Sequence, residues 1–284
     1  MPSLVGSEMC IRDRSGVLDE LAQRADAQEI VGVGITGKPF IFAVGADLTG
    51  IPTISSRDQA LEIAEQGHRT FQQISDLSVP TFAFINGASM GGGVEIALYA
   101  DYRTIATDVP AYATPECFLG LVPGWGGTYL LPHLIGVENA LTLIVANPLA
   151  NNKMVNGKQA FELGVADRLL EPVTFLEDSI LFAGKVIAGE EKVERKQVDT
   201  SAEAWDTVVD AARGQVDAKV GGAAPAPYRA LDLVKAARTA ERKDAFEAEN
   251  NALADLLMTD ELRAGLYSFD PVSYTHLRAH ETRH

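Results

Sequence analysis

Three glycine-rich segments carry the residues whose types and spacing could do chemistry. Gly87-Ala-Ser89-Met-Gly91 matches G-x-S-x-G, the nucleophile elbow, and sits between a strand-like and a helix-like stretch. Such a serine needs an acidic residue and then a histidine later in the chain. Outside the chain ends, the histidine after Ser89 is His133, which follows Pro132 in an apolar segment. A core or surface place suits it better than a triad. Gly32-Val-Gly34-Ile-Thr-Gly37 matches G-x-G-x-x-G, which in a dinucleotide fold must close a strand and open a helix. Here another strand-like run, 40–44, follows, so a strand-to-strand turn is the better reading. No glycine turn carries a Walker lysine. Among the chain's many acidic residues, Glu95 lies just after the serine-bearing turn and Glu116 before the turn at 123–127, and on their own both read as ordinary solvated glutamates. Two carboxyls in a mostly apolar pocket can have their proton affinities tuned for acid–base work. Glycines beside them let backbone N–H groups approach a developing oxyanion.

The elements that must position these residues read as alternating strands and helices. Residues 30–35, 40–44, 81–85 and 102–106 are short apolar runs expected as strands. Residues 17–24, 57–74 and 94–99 have helical character, as does the apolar spacing of Leu130, Leu134 and Leu141. Residues 159–164 read as a short helix ending at a glycine, and 86–93 as a glycine-rich turn. The alternation predicts an α/β layered fold. After about residue 190 the composition shifts. Residues 220–227, rich in Gly, Ala and Pro, read as a linker or turn, and 228–266 as a C-terminal helical region.

The two ends of the 284-residue chain read as foreign. Back-translated with suitable codons, residues 4–13 encode, on the opposite strand in a shifted frame, residues 272–281. That DNA resembles a sequencing-library adapter. The expected division is therefore a non-native tail at 1–14, a catalytic core at 15–190, a helical region at 191–270 and a non-native tail at 271–284. Within 15–270 the one cysteine is Cys117, which leaves no disulfide and no Cys/His metal cluster, so no metal site is expected. A lone thiol fits a cytoplasmic protein. A net charge of −15 argues against nucleic acid or an anionic membrane as partner. No stretch reaches the roughly 20 apolar residues of a membrane helix.

Four segments then resemble one family. Phe42-Ala-Val-Gly-Ala-Asp-Leu48 is similar to its F-x-x-G-A-D-L stretch, and Asn86-Gly-Ala-Ser-Met-Gly-Gly-Gly-Val-Glu95 to its N-G-x-x-x-G-G-G-x-E signature. Thr114-Pro-Glu116-Cys-Phe-Leu-Gly120 resembles its P-E-x-x-x-G signature, continued by Pro123-Gly-Trp-Gly-Gly-Thr128 as P-G-x-G-G-T. The four stand in the order of the crotonase (enoyl-CoA hydratase/isomerase) family. The span from Glu95 to Glu116 is one residue longer than usual, placed at 108–111. The resemblance implies a crotonase-like spiral of ββα units with a C-terminal helical subdomain, its first strands missing. It implies an oxyanion hole from the backbone N–H groups of Ala46 and Gly92. Glu95 would orient and deprotonate the attacking water, and Glu116 would deliver a proton to the α-carbon. Substrate contacts fall on Ala46, Asp47, Leu48, Gly92, Pro115 and Gly124. Trp125, Phe118 and Leu119 are either acyl-pocket or core residues.

Both carboxylates together favour hydration of trans-2-enoyl-CoA to 3-hydroxyacyl-CoA in fatty-acid β-oxidation, with isomerase activity open. No resident cofactor is implied, since coenzyme A is part of the substrate. The competing readings are a serine hydrolase using Ser89 and a non-catalytic acyl-CoA-binding fragment. Residues 224–235 resemble the hydratase domain of multifunctional fatty-acid-oxidation α-subunits. That implies an oligomer or larger β-oxidation complex, and a gene that continues into an NAD-dependent dehydrogenase. Reading the gene past Asp270 tests this, and a stop codon there removes the expectation.

Overall fold

Short β-rich runs alternate with crossovers long enough to return each strand parallel to the last. The computed structural model describes residues 5–45 and 48–266, with side chains from Gly16 on, Thr49 excepted. The expected tail 271–284 and the first four residues lie outside them. Helix α1 (Val5–Asp26) runs into β1 (Val33–Thr36) and β2 (Phe40–Ala43); a 3-10 turn, Leu48–Thr53, leads to α2 (Arg57–Ser75). The pattern repeats as β3 (Thr81–Ile85), β4 (Gly87–Met90) and α3 (Gly92–Leu98), and again as β5 (Tyr102–Ala106), β6 (Tyr112–Ala113) and α4 (Glu116–Leu119). Then come α5 (Gly127–Ile135), α6 (Val137–Leu141), α7 (Asn147–Leu149), α8 (Gly157–Leu163), β7 (Arg168–Leu170) and α9 (Phe175–Ile187). The chain closes with α10 (Ala202–Val220), α11 (Pro225–Ala237) and α12 (Arg242–Leu257).

Each ββα unit sends its first strand to one sheet and its second to another. The first strands make a parallel sheet in the order β1-β3-β5-β7, and the second strands a parallel sheet in the order β2-β4-β6. Parallel neighbours need a long crossover, and α2 and α3 supply it. This is the expected spiral of ββα units, with residues 108–111 in the turn between β5 and β6.

One element differs from the sequence reading. Residues 86–93 read as a turn, yet Gly87–Met90 is a strand, paired on both sides at Phe40↔Gly87 and Ser89↔Tyr112. Gly-Ala-Ser-Met has little strand propensity, and tertiary pairing decides. The small residue is required: a Cβ at Gly87 would lie 2.1 Å from the Phe40 carbonyl carbon. Asn86 fixes the turn before it, accepting from Gly37 N (3.1 Å) and donating to Gly37 O and Lys38 O (3.0 Å each).

Helix α9 falls where the sequence suggests no element, and α10 lies within the helical region expected at 191–270. Helix α10 starts at Ser201, whose hydroxyl accepts from Ala204 N, and ends at Gly221 with φ 53°. Of the segment 220–227, only 221–224 forms the turn, because α10 reaches Val220 and Pro225 begins α11. α12 lies along α2, where Arg57 Nε donates to Asp255 Oδ1 (2.7 Å), and α11 packs on α5. Trp205, Leu231 and Leu253 share one buried cluster with Ile105 and Leu131. The guanidinium of Arg103, 3% exposed, donates to the carbonyls of Ala97, Ala100 and Val165, tying the end of α3 to β5. Burial draws its pKa down to about 10. Among the described residues no helix is long and apolar enough to cross a membrane.

The helical layer is thus continuous with the core. Trp205 is fully buried, and its Nε1 donates to Val234 O (3.0 Å). Trp205→Ala is expected to cost about 3–5 kcal/mol in urea unfolding. A loss near zero would show that this layer does not stabilise the core.

Candidate active site

The site forms where β4 turns into α3. Gly91 caps that helix with φ 54° and ψ −124°, a conformation that strains any residue with a Cβ. A Cβ there would also lie 2.7 Å from Glu116 Oε1. The loop after β2 abuts the same corner, with Gly45 Cα 3.9 Å from the Cβ positions of both Gly91 and Gly92. The Gly92 N–H belongs to the first turn of α3, where no carbonyl of the helix can accept it. Ala46 and Asp47, the next residues of that loop, lie outside the described residues. Leu48 opens the 3-10 turn, half-buried.

Glu95 is 2% exposed. Its Oε1 accepts from Trp125 N (2.7 Å) and Gly127 N (2.9 Å), at the start of α5. Burial holds its carboxyl well above the usual range; the charges of Glu249 and Glu116 add to this, and the two N–H donors oppose it. Glu116 begins α4, which ends at Gly120 with φ 93°. Burial pushes its carboxyl up to about 7, its own backbone N–H opposing and Glu249 adding. Its Oε2 is buried with no hydrogen-bond partner among the described residues. Like charges this close share protons as a set, so one acid and one base can stand side by side near neutrality.

Sequence reasoning missed a third carboxyl. Glu249 of α12 is 0% exposed. Its Oε1 accepts from Gly126 N, and its Oε2 from Thr128 N (3.0 Å) and the Thr128 hydroxyl. His68 of α2 places Nε2 3.4 Å from it and donates through Nδ1 to Asn250 Oδ1 (2.7 Å). Nothing in the stretch 241–257, full of Glu and Ala, marked this glutamate among its solvated neighbours.

The other expected residues divide. Pro115 caps α4. Gly124 is buried against Leu253, with a Cβ there 2.3 Å from Leu253 Cδ2. Trp125 is half-buried, edge-on to Phe71 at 5.4 Å, and its ring borders Gly92. Leu119 is a core residue and Phe118 is exposed. Ser89 lies inside β4 at 0% exposure rather than on a strand-to-helix elbow. His133 is engaged elsewhere, donating through Nδ1 to Tyr129 O (2.7 Å) beside the Trp205 ring. This placement does not suit a serine nucleophile, because a fully covered hydroxyl in a paired strand has no approach for a substrate.

Comparison with known proteins follows the same line. Residues 10–207 match the model of the family described as enoyl-CoA hydratase/isomerase. A fatty acid oxidation complex subunit alpha of Idiomarina loihiensis is 34% identical over 253 residues, covering 87% of this chain and 34% of the relative. The chain therefore spans about a third of the length of the curated relatives it matches. Among solved structures, Pseudomonas aeruginosa DspI is similar at 30% identity and TM-score 0.53, over 61% of this chain and 70% of that one. Human mitochondrial delta3-delta2-enoyl-CoA isomerase shares the fold at 17% identity and TM-score 0.62, over 94% of this chain and 89% of that one. With its ββα spiral, its glycine turns and its glutamates in these places, the chain belongs to the enoyl-CoA hydratase/isomerase, or crotonase, family.

Proposed function

We propose that this chain adds water to trans-2-enoyl-CoA to give 3-hydroxyacyl-CoA, as one part of a longer multifunctional β-oxidation protein. The observation that carries the reading is the pair of enclosed carboxyls beside the Gly91–Gly92 corner. Glu95 has two N–H donors that favour its anion, while Glu116 keeps one buried oxygen unpartnered. Glu95 takes a proton from water as the water oxygen bonds to the β-carbon. The π electrons move to the thioester oxygen, where the N–H groups of Gly92 and Ala46 meet the charge. Glu116 gives its proton to the α-carbon, closing the addition of H and OH. The chemistry uses water, two carboxyls and backbone amides, with coenzyme A arriving as part of the substrate. Asp47, Leu48, Pro115 and Gly124 would line the bound thioester. The name shared by the relatives and the share of their length that is matched support placement in a larger complex.

The test follows loss of the enoyl absorbance of a short trans-2-enoyl-CoA. Glu95→Gln and Glu116→Gln should each lower kcat by about 10²–10⁴-fold, the usual weight of acid–base catalysis. No turnover from folded wild-type protein removes the hydratase reading, and a shifted double bond in the product would favour isomerisation. The rate should also fall as pH rises through about 7, because Glu116 then loses the proton it must donate. A rate still rising at pH 9 contradicts that role.

A stability difference checks the same carboxyl. Its folded pKa, about 7, exceeds its ordinary value of 4.5, so the folded chain binds the proton more tightly than the unfolded chain does. Stability is therefore lost as pH rises from about 4.5 to about 7, and stays lost above. Glu116→Gln escapes this cost. It should melt higher than wild type at pH 8, with the gap closing toward pH 4.5, by differential scanning calorimetry.

A further inference from the structure

We propose that Glu249 is a positioning residue for this chemistry, fixing the place of the Glu95 carboxylate and setting a second negative charge beside it. This rests on the hydratase reading above. Four consecutive amides open α5, and they alternate between two side chains. Trp125 N and Gly127 N go to Glu95, while Gly126 N and Thr128 N go to Glu249. The two carboxyls come from helices far apart in sequence, α3 and α12, and interleave on one turn. Glu95 cannot rotate away without leaving two buried N–H groups unpaired, a cost of about 1–3 kcal/mol for each. Nor can that turn move to follow it without breaking the hold of Glu249.

Capping alone does not need this residue. A neutral acceptor could satisfy the N–H groups with a smaller desolvation cost. What the charge adds is repulsion, which strengthens Glu95 as a base by raising its proton affinity. The groups around the pair are few. His68 faces Glu249 from α2, with Asn250 fixing its ring. Tyr99, which caps the end of α3, and Glu116 of α4 complete the near set, and Arg242 of α12 lies over the Tyr99 ring at 5.2 Å. Arg242 therefore meets an aromatic face, while the imidazole stands at the carboxylate.

The experiment compares the whole chain as wild type, Glu249→Gln and Thr128→Val, reading kcat/KM against pH. Removing the charge at Glu249 should move the acid limb, which reports ionisation of Glu95, about one pH unit toward acid, and should lower kcat more than it changes KM. Thr128→Val loosens the same hydrogen-bond set without changing charge, and should lower the melting temperature while leaving the limb in place. An unmoved limb in folded Glu249→Gln overturns the proposal, as does an equal shift in Thr128→Val. Should Glu249→Gln not fold, Glu249→Asp keeps the charge and shortens the reach. Positioning then predicts a lower kcat with the limb in place, and a wild-type kcat overturns it. An inactive wild type would count against hydration rather than against this coupling. In that event a carbon-13 NMR titration of the Glu95 carboxyl, with and without Glu249→Gln, reads the same shift without turnover.

Discussion

The site depends on how three buried glutamates are satisfied without water. An enclosed carboxylate is costly unless donors meet it, and backbone amides at a helix start are donors with no helical partner. The first turn of α5 supplies them to Glu95 and Glu249. Glu116 has its own backbone N–H and one free oxygen. The two motif carboxyls therefore differ in their donors: two N–H groups oppose the effect of burial on Glu95, while Glu116 keeps an oxygen with no partner among the described residues.

The rest of the fold serves that arrangement. Two parallel sheets bring the loop after β2 against the start of α3, and β6 delivers Glu116 to Gly91. Arg103 clamps the far end of α3 by its carbonyls, so the helix cannot slide along its axis. The C-terminal layer is more than a cover, because α12 contributes Glu249 and Asn250 and rests on α2, which contributes His68. A protein cut before α12 would retain both motif glutamates and lose half of the partners of α5's first turn.

The surface and the site also pull in different directions. The chain is strongly acidic at −15, and the site itself collects three carboxyls. Burial resolves part of this conflict. By raising the proton affinities of Glu95 and Glu116, it keeps the local charge below what three free carboxylates would carry.

What the sequence determined by itself was local. Strands such as Thr81–Ile85 and Tyr102–Ala106, the helix over α2, and the glycine turns holding Glu95 and Glu116 were legible because apolar periodicity and short motifs act over a few residues. The same locality misled at Ser89, where G-x-S-x-G looks like an elbow until β2 and β6 claim the segment as a strand. It was silent at Glu249, which meets Gly126 across 123 residues of chain and has no pattern around it. Tertiary structure alone decided which carboxyls lose their water, which amides they take and which charges they feel. Burial, and with it proton affinity, is a property of the packed surroundings rather than of a residue or its neighbours in sequence.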